Sequence, residues 1–283
     1  MDFIKKILSF ESGNQVFAPS NIAHAFGLLL EGADGETAKE IVSILGHGKT
    51  ILLLYQFYRI LDNVDQSKVS IKHYYDTGNK FDSVRQAANI FLNHKHGLKP
   101  DYTSSVLKKF DASVNSINFG ESSKAAGTIN DWVMNKTDNL IDNLVSADMF
   151  NDLTLLALVT AIVFKGNWES KFESLFDANF VSPDGNKQVQ FMSLKKKSHF
   201  GIYFDNGVGC VRIPYTGGLA MTIIMPDNIQ EFESSVTGDK LNYLIDQPFA
   251  SAGEVTLKMP KFKFGSRVTT QTLHHASYSL FIR

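Results

Sequence analysis

Cysteine is nearly missing from this chain: its 283 residues contain one, Cys210. An internal disulfide is excluded, and a reducing, cytoplasmic setting fits. Cys210 lies in VGCVRIPY, a strand-like run with no activating neighbour, so it reads as a small buried hydrophobe rather than a reactive thiol. One-sided charge is missing too. The net charge is −1 with both signs interspersed, which leaves no electrostatic footprint for nucleic acid. No apolar run reaches the roughly 20 residues that span a bilayer, so no membrane partner is expected. The N-terminal MDFIKKILSFESGN brings charge too early, and its apolar stretch is too short, for a signal peptide. No G-x-S-x-G elbow and no H-E-x-x-H helix occurs; composition alone leaves a Ser/His/Asp triad open, but no motif nominates one, and the expectation is a protein that is not an enzyme and uses no cofactor. Repeats, low-complexity stretches and clear linkers are also lacking. The length then reads as one domain over 1–283, with a helical part at 1–150 and a β-rich part at 151–283.

Three fragments imitate functional motifs. Gly46-His47-Gly48-Lys49-Thr50 ends like a phosphate-binding loop, but Ser43 stands where that loop needs its first glycine. A helix also precedes it, so a glycine-terminated helix is the better reading. His94-Lys95-His96 and His274-His275 have no Cys, Asp or Glu at ligand spacing, which favours surface histidines over a metal site. Lys195-Lys196-Lys197 reads as a solvated loop. Asn135-Lys136-Thr137 is a glycosylation sequon, idle in a chain that is not secreted.

What the chain has is an ordinary globular composition, 43% hydrophobic and 20% charged, with 22 phenylalanines to fill packed sheets. Its longest nearly unbroken apolar run is LTLLALVTAIVFKGNW, residues 153–168. Val159, Ile162 and Val163 are β-branched, and a continuous run of this kind suits a strand covered on both faces. It is read as the middle strand of a large sheet. Upstream, apolar residues at helical spacing predict a short helix from Phe3 to Leu8 and a second opened by Pro19 and Ser20. A third is started by a Thr37/Glu40 capping box, and a fourth runs over 51–61. Residues 85–92 read as a strand, Pro100 as a helix start, and residues 114–119 as a short strand-like run. Ser123 reads as the cap of a helix carrying Ile129, Trp132 and Val133. From Phe180 onward the pattern turns to β. A turn at 183–186 separates two strands, a hairpin folds around Thr216-Gly217-Gly218, and residues 255–264 alternate. Helices first and antiparallel strands later make an α+β fold, without the βαβ alternation of nucleotide folds.

Several of these segments together resemble the serpins, the serine protease inhibitor family. Val16 to Ile22, VFAPSNI, resembles the family's F-x-S-P-x-S-I in shifted form, and Gly32 to Thr37 resembles GAxGxT. Ala88-Asn89-Ile90-Phe91, then Leu98 to Tyr102, resemble the next block, and Ile129 to Val133 with Thr137 the family's helix F. Phe164-Lys165-Gly166-Asn167-Trp168 with Phe172 matches FKGxWxxxF. Ile213-Pro214-Tyr215, Met221 and Ile223 to Pro226 match the LPYxG…MxIxLP hairpin, and Pro260-Lys261-Phe262 matches PKF. The order holds from Val16 to Phe264. The short first helix and missing signal peptide are most similar to the intracellular poxvirus serpins.

The resemblance implies a serpin fold, with N-terminal helices on a large mixed central sheet and further antiparallel sheets. It also implies a mechanism: a loop is cleaved by the target protease and inserts into the sheet before the acyl-enzyme hydrolyses, a switch between two packings of one chain. The partner implied is a host serine or cysteine protease of death or inflammatory signalling. Residues 272–281 resemble the family's next helix, with Ser277 where glycine is usual, and the sequence ends at Arg283. The expectation is therefore a chain incomplete at its C-terminus and without the reactive loop; a non-inhibitory binding protein or an inactive remnant is the alternative. The candidate shutter and breach residues are Ala18, Pro19, Asn21, Thr160, Lys165, Gly166 and Trp168. Ala18 and Asn21 stand where the family has serines, and Thr160 where it has asparagine. The exchange is read as reciprocal, with the Asn21 amide bonding Thr160 or its neighbouring backbone.

Overall fold

A computed structural model describes residues 18–45, 84–182, 185–197, 201–246, 250–251, 254–263, 266–269 and 279–282. The chain divides into two compact units, Met1–Phe164 with Phe264–Arg283, and Lys165–Lys263. The expected helices near residues 3–8 and 51–61, the GHGKT fragment and His274-His275 lie outside the described residues.

The first unit opens with α1 (Pro19–Gly32). Ala18, in extended conformation, precedes it and has no side-chain cap bond; Pro19 presets the first helical turn. Helix α2 (Gly35–Leu45) starts two residues before Thr37, so the expected capping box lies inside the helix. Instead the Asp34 carboxylate accepts from the Gly35 N–H at 2.7 Å, and Gly35 takes the positive φ of 56° that its lack of a Cβ permits. Phe26 of α1 and Ile41 of α2 form a buried pair.

Strand β1 (Val84–Asn93), α3 (Pro100–Phe110) and β2 (Ala112–Ile117) follow. They make one parallel crossover, with Ala88 registered on Ala112, where no βαβ unit was expected. Helix α3 has Pro100 in its first turn, Asp101 near its positive end and Lys108 and Lys109 near its negative end. Asp111 stops it in the left-handed region at φ 50°. Helix α4 (Ser122–Lys136) starts a residue before the expected cap; its flanking residue is Glu121, with no side-chain cap bond. A short 3-10 turn at Ala147–Met149 leads to β3 (Leu156–Phe164).

The sheet order is β2-β1-β3, and β3 runs antiparallel to β1 with Val84 on Phe164 and Leu92 on Leu156. The run expected to be the middle strand is thus an edge strand among the described residues, and β1 is the middle. The expectation of two covered faces holds. Val159 and Ala161 join Phe91, Phe119, Ile129 and Val133 in one buried cluster. Leu158 packs from the other face on Leu28, Ile90, Val106 and Phe110.

In the second unit, β4 (Ser174–Ser182) and β5 (Gly185–Lys197) form a hairpin. Lys195 to Lys197 are strand residues, correcting the solvated-loop reading. Strands β6 (Gly201–Asp205), β7 (Val208–Pro214) and β8 (Ala220–Pro226) form a meander. Helices α5 (Ile229–Ser235) and α6 (Gly238–Asp246) precede β9 (Ala250–Ser251) and β10 (Glu254–Pro260). The sheets are β10-β5-β4 and β8-β7-β6-β9. The two-residue turn before β7 is Asn206-Gly207, both at positive φ, a hairpin signal the sequence carried. Strand β7 is covered on both faces: Val208 and Cys210 pack with Leu244, and Val211 and Ile213 with Leu194 and Met259. Cys210 is a buried hydrophobe, and burial pushes its thiol pKa up.

The first unit also includes β11 (Ser266–Thr269) and β12 (Ser279–Ile282), an antiparallel pair. Residues 279–281 are therefore strand, where a helix over 272–281 was expected.

Candidate functional site

The seven candidate residues separate into two groups. In the first unit, α1 lies across β3. Its buried stripe is Asn21, His24 and Leu28, spaced so that all three face one side, and they are 2%, 7% and 0% exposed. Ala18 is half-buried, and its carbonyl accepts from the Asn21 N–H at 3.0 Å, starting the helix. The Thr160 hydroxyl donates to the main-chain carbonyl of Asn21 at 3.4 Å. Helix and strand are joined here, through the backbone carbonyl of residue 21. The geometric reason is register. Thr160 sits opposite Ala88 on the face that meets α1, where the first-turn carbonyls of the helix are still within reach.

The other half of α1 is fastened to α3. The Tyr102 hydroxyl donates to the Leu28 carbonyl at 2.9 Å, and the Glu31 carboxylate receives Lys109 at 2.7 Å and the Ser105 hydroxyl. Burial pushes the Tyr102 phenol pKa up, and the Glu31 charge adds to it. Gly32 leaves room for this contact, since a Cβ there would come within 2.8 Å of the Tyr102 ring.

His24 was not singled out by sequence. It lies edge-on to Phe110, with ring centroids 5.4 Å apart and planes at 68°. Burial holds its imidazole far below the ordinary histidine range, at about 4, against the opposing effect of a hydrogen bond with the Phe110 backbone. Three asparagines were likewise not nominated as site residues. Asn89 is fully buried, and its amide donates to Asn115 at 2.8 Å. Asn93 donates to the Thr154 carbonyl, and Asn130 accepts from the Leu144 and Val145 N–H groups. The sequon threonine, Thr137, is buried: its hydroxyl donates to the Val133 carbonyl at 2.7 Å and accepts from the Ile141 N–H.

In the second unit, Trp168 stacks on Tyr215, with centroids 4.3 Å apart and planes at 15°, and meets Phe172 edge-on at 5.8 Å. Main-chain bonds brace the stack, from Glu169 N–H to the Pro214 carbonyl and from Thr216 N–H to the Asn167 carbonyl. Trp168 packs on the cluster of Leu194, Val211, Ile213 and Met259. Gly166 is half-buried and Lys165 exposed beside it. The structure therefore brings Ala18, Asn21 and Thr160 together under Pro19's helix turn, and gathers Trp168 with Phe172 and Tyr215.

Among the described residues no three His, Cys, Asp or Glu side chains converge as metal ligands would, and His94 and His96 are both exposed. No described helix is long and apolar enough to cross a membrane.

Comparison with known proteins agrees with this architecture. A sequence model of the family described as Serpin (serine protease inhibitor) matches residues 1–275. Leukocyte elastase inhibitor A of Mus musculus is 30% identical over 273 residues, covering 92% of this chain and 69% of its own. Among solved structures, cleaved Serpin 42Da superposes with a TM-score of 0.78 at 26% identity, over 95% of this chain and 71% of that one. Uncleaved ovalbumin has the same fold, with a TM-score of 0.79 at 21% identity over 95% of this chain and 75% of its own.

Proposed function

The chain belongs to the serpin family, and from that premise we propose that it serves as a serpin-type inhibitor of a serine or cysteine protease. The observation that carries the proposal is β3. It is apolar on both faces and paired with β1 along one edge, and among the described residues no strand pairs with its other edge. Such an edge has the main-chain donors and acceptors that an inserting strand needs. In the proposed cycle the protease nucleophile attacks a peptide bond of an exposed loop. An ester, or thioester for a cysteine protease, forms with the new carboxyl end, and the amine leaves. The loop then pairs as a strand and carries the protease with it before water hydrolyses the ester. The inhibitor is consumed, so it is not a catalyst.

Within that cycle, Thr160 and the first turn of α1, with Ala18, Pro19 and Asn21, form the polar seam that shifts as a strand enters. Lys165, Gly166 and Trp168 anchor the chain just after β3. We read residues 1–283 as one serpin domain. Its setting is cytoplasmic, a compartment that suits a single reduced cysteine. Its targets are host proteases of death or inflammatory signalling, the role of the viral serpins it resembles, and the names of its relatives make leukocyte elastase the first protease to assay. A second reading, a serpin-like binding protein without inhibition, is favoured by the exchanges at positions 18, 21 and 160.

Incubation of the chain with elastase and with caspases, followed by denaturing electrophoresis, tests both. An SDS-stable band at the summed mass supports inhibition. Reversible binding without that band supports the second reading. Absence of both the band and reversible binding overturns both readings.

A further inference from the structure

We propose that Asn206 is a modification site, where the main-chain nitrogen of Gly207 displaces the side-chain amide nitrogen as ammonia. The inference is independent of any inhibitory activity and rests on the turn between β6 and β7.

Asn206-Gly207 is the one Asn-Gly pair in the sequence. It fills the turn across which Asp205 is in register with Val208. Both residues are exposed, and both take positive φ, 45° and 76°. Asparagine tolerates that region and glycine has no Cβ to oppose it, so this tight turn calls for the very pair whose adjacency is reactive. A side chain on the second residue would crowd the attacking nitrogen, and glycine has none. Exposure and positive φ are not sufficient alone. Asn139 is exposed at φ 59°, but Leu140 follows it. Asn21 and Asn89 are buried, and each precedes an isoleucine.

The reaction joins the Gly207 nitrogen to the side-chain carbonyl carbon of Asn206. The Gly207 nitrogen gives up its proton, the new N–C bond closes a succinimide ring, and ammonia leaves. Water then opens the ring in one of two ways. Breaking the new bond leaves aspartate on an unchanged main chain. Breaking the original peptide bond leaves isoaspartate, whose main chain runs through the former side chain and is one carbon longer. Water is the only co-reactant. Either product replaces a neutral amide by a carboxylate, so the net charge of −1 becomes one unit more negative.

The turn is built to register that change. The Asp227 N–H donates to the Gly207 carbonyl at 2.9 Å, tying the turn to the end of β8. The Asp227 carboxylate also lies against Gly207, 3.0 Å from where a Cβ would stand. Both contacts depend on a two-residue link between Asp205 and Val208. An extra main-chain carbon displaces Gly207, so the isoaspartyl chain loses the bond to Asp227 and the aspartyl chain keeps it. In both products the new carboxylate adjoins that of Asp205, which is paired with Lys240 at 3.0 Å.

The test is carried out on the full chain, aged in mildly alkaline buffer at physiological temperature. Ion exchange is expected to resolve a more acidic species. Peptide mapping by mass spectrometry is expected to place the change at residue 206 before any other asparagine. In Asn206→Gln, whose longer side chain would have to close a larger ring, the acidic species is expected to disappear. Should that variant not fold, the map of the parent chain decides alone. Amide hydrogen exchange at Asp227 is expected to accelerate in the purified isoaspartyl form and to stay slow in Asn206→Asp. First conversion at another asparagine overturns the proposal. So does an unmodified Asn206 in the folded chain when the urea-unfolded chain, aged alongside, converts there. Unchanged exchange at Asp227 in the isoaspartyl form overturns the structural consequence.

Discussion

The Thr160 hydroxyl donates to the main-chain carbonyl of Asn21, linking residues 139 positions apart by a bond that the side chain at position 21 does not make. The amide of Asn21 is buried in its own right. Thr160→Val should therefore destabilise by about 1 kcal/mol, a typical net hydrogen bond. Asn21→Ala should destabilise independently. In a double-mutant cycle read by urea unfolding, the coupling between them should stay below about 0.5 kcal/mol. A coupling above that would restore the amide as the bonding group.

Asn89 is fully buried, and its side-chain oxygen has no hydrogen-bond partner among the described residues. An unsatisfied buried acceptor costs about 1–3 kcal/mol. Its amide partner, Asn115, is exposed and can turn to water. Asn89→Leu, close in volume, is expected to raise the urea midpoint, and a lowered midpoint would show that the oxygen is satisfied in solution.

Thr137 closes α4 by accepting one main-chain hydrogen bond and donating another. Thr137→Val removes both while keeping the shape, and should destabilise by about 1–3 kcal/mol. Thr137→Ser should recover most of that loss, and thermal melts of the three chains compare them. Equal melting of all three would make the hydroxyl irrelevant to stability.

Tyr203 and Tyr243 share a hydroxyl–hydroxyl contact of 2.9 Å. That bond, foremost, and then burial and the charge of Asp205 push the Tyr203 phenol up to about 12. Alkaline titration followed by tyrosinate absorbance should find Tyr203 still neutral at about pH 11. Tyr243→Phe should bring its ionisation back toward the ordinary range, and an unchanged titration curve in that variant would remove the contact as the cause.

Trp168 is wedged between Tyr215 and Phe172. Trp168→Ala should cost about 3–5 kcal/mol, whereas Trp168→Phe, which keeps a ring on Tyr215, should cost less. Chemical unfolding of the two variants side by side measures the difference.

Much of this architecture could be read from the residues alone. The run over 153–168 announced a strand covered on both faces, and its β-branched core ended where Phe164 ends β3. Its place as an edge strand could not be read, because an apolar run reports how many faces are covered and says nothing of how many edges are paired. Lys195 to Lys197 misled because charge was weighed above pairing: the three residues are in register with Thr256, Val255 and Glu254 of β10. The Asn206-Gly207 turn was legible and passed over. At the candidate site, positions 18, 21 and 160 were nominated by resemblance, yet that the Thr160 hydroxyl reaches the Asn21 carbonyl depends on helix rotation. His24 was invisible for a similar reason: in sequence it is one polar residue on a helix, and the approach of Phe110 from α3 is a tertiary contact.

The separation between Asn21 and Thr160 also sets a clock. At 5–20 residues per second of synthesis, the carbonyl of Asn21 waits about 7–28 s before Thr160 has been made. The antiparallel partner of β1 is made on the same late schedule, because Val84 pairs with Phe164. In the β4–β5 hairpin, by contrast, Ser182 pairs with Gly185, three positions on. During the wait, the buried stripe of α1 and one edge of β1 lack their later partners on the nascent chain. Slowing translation before Leu156 would lengthen that exposure.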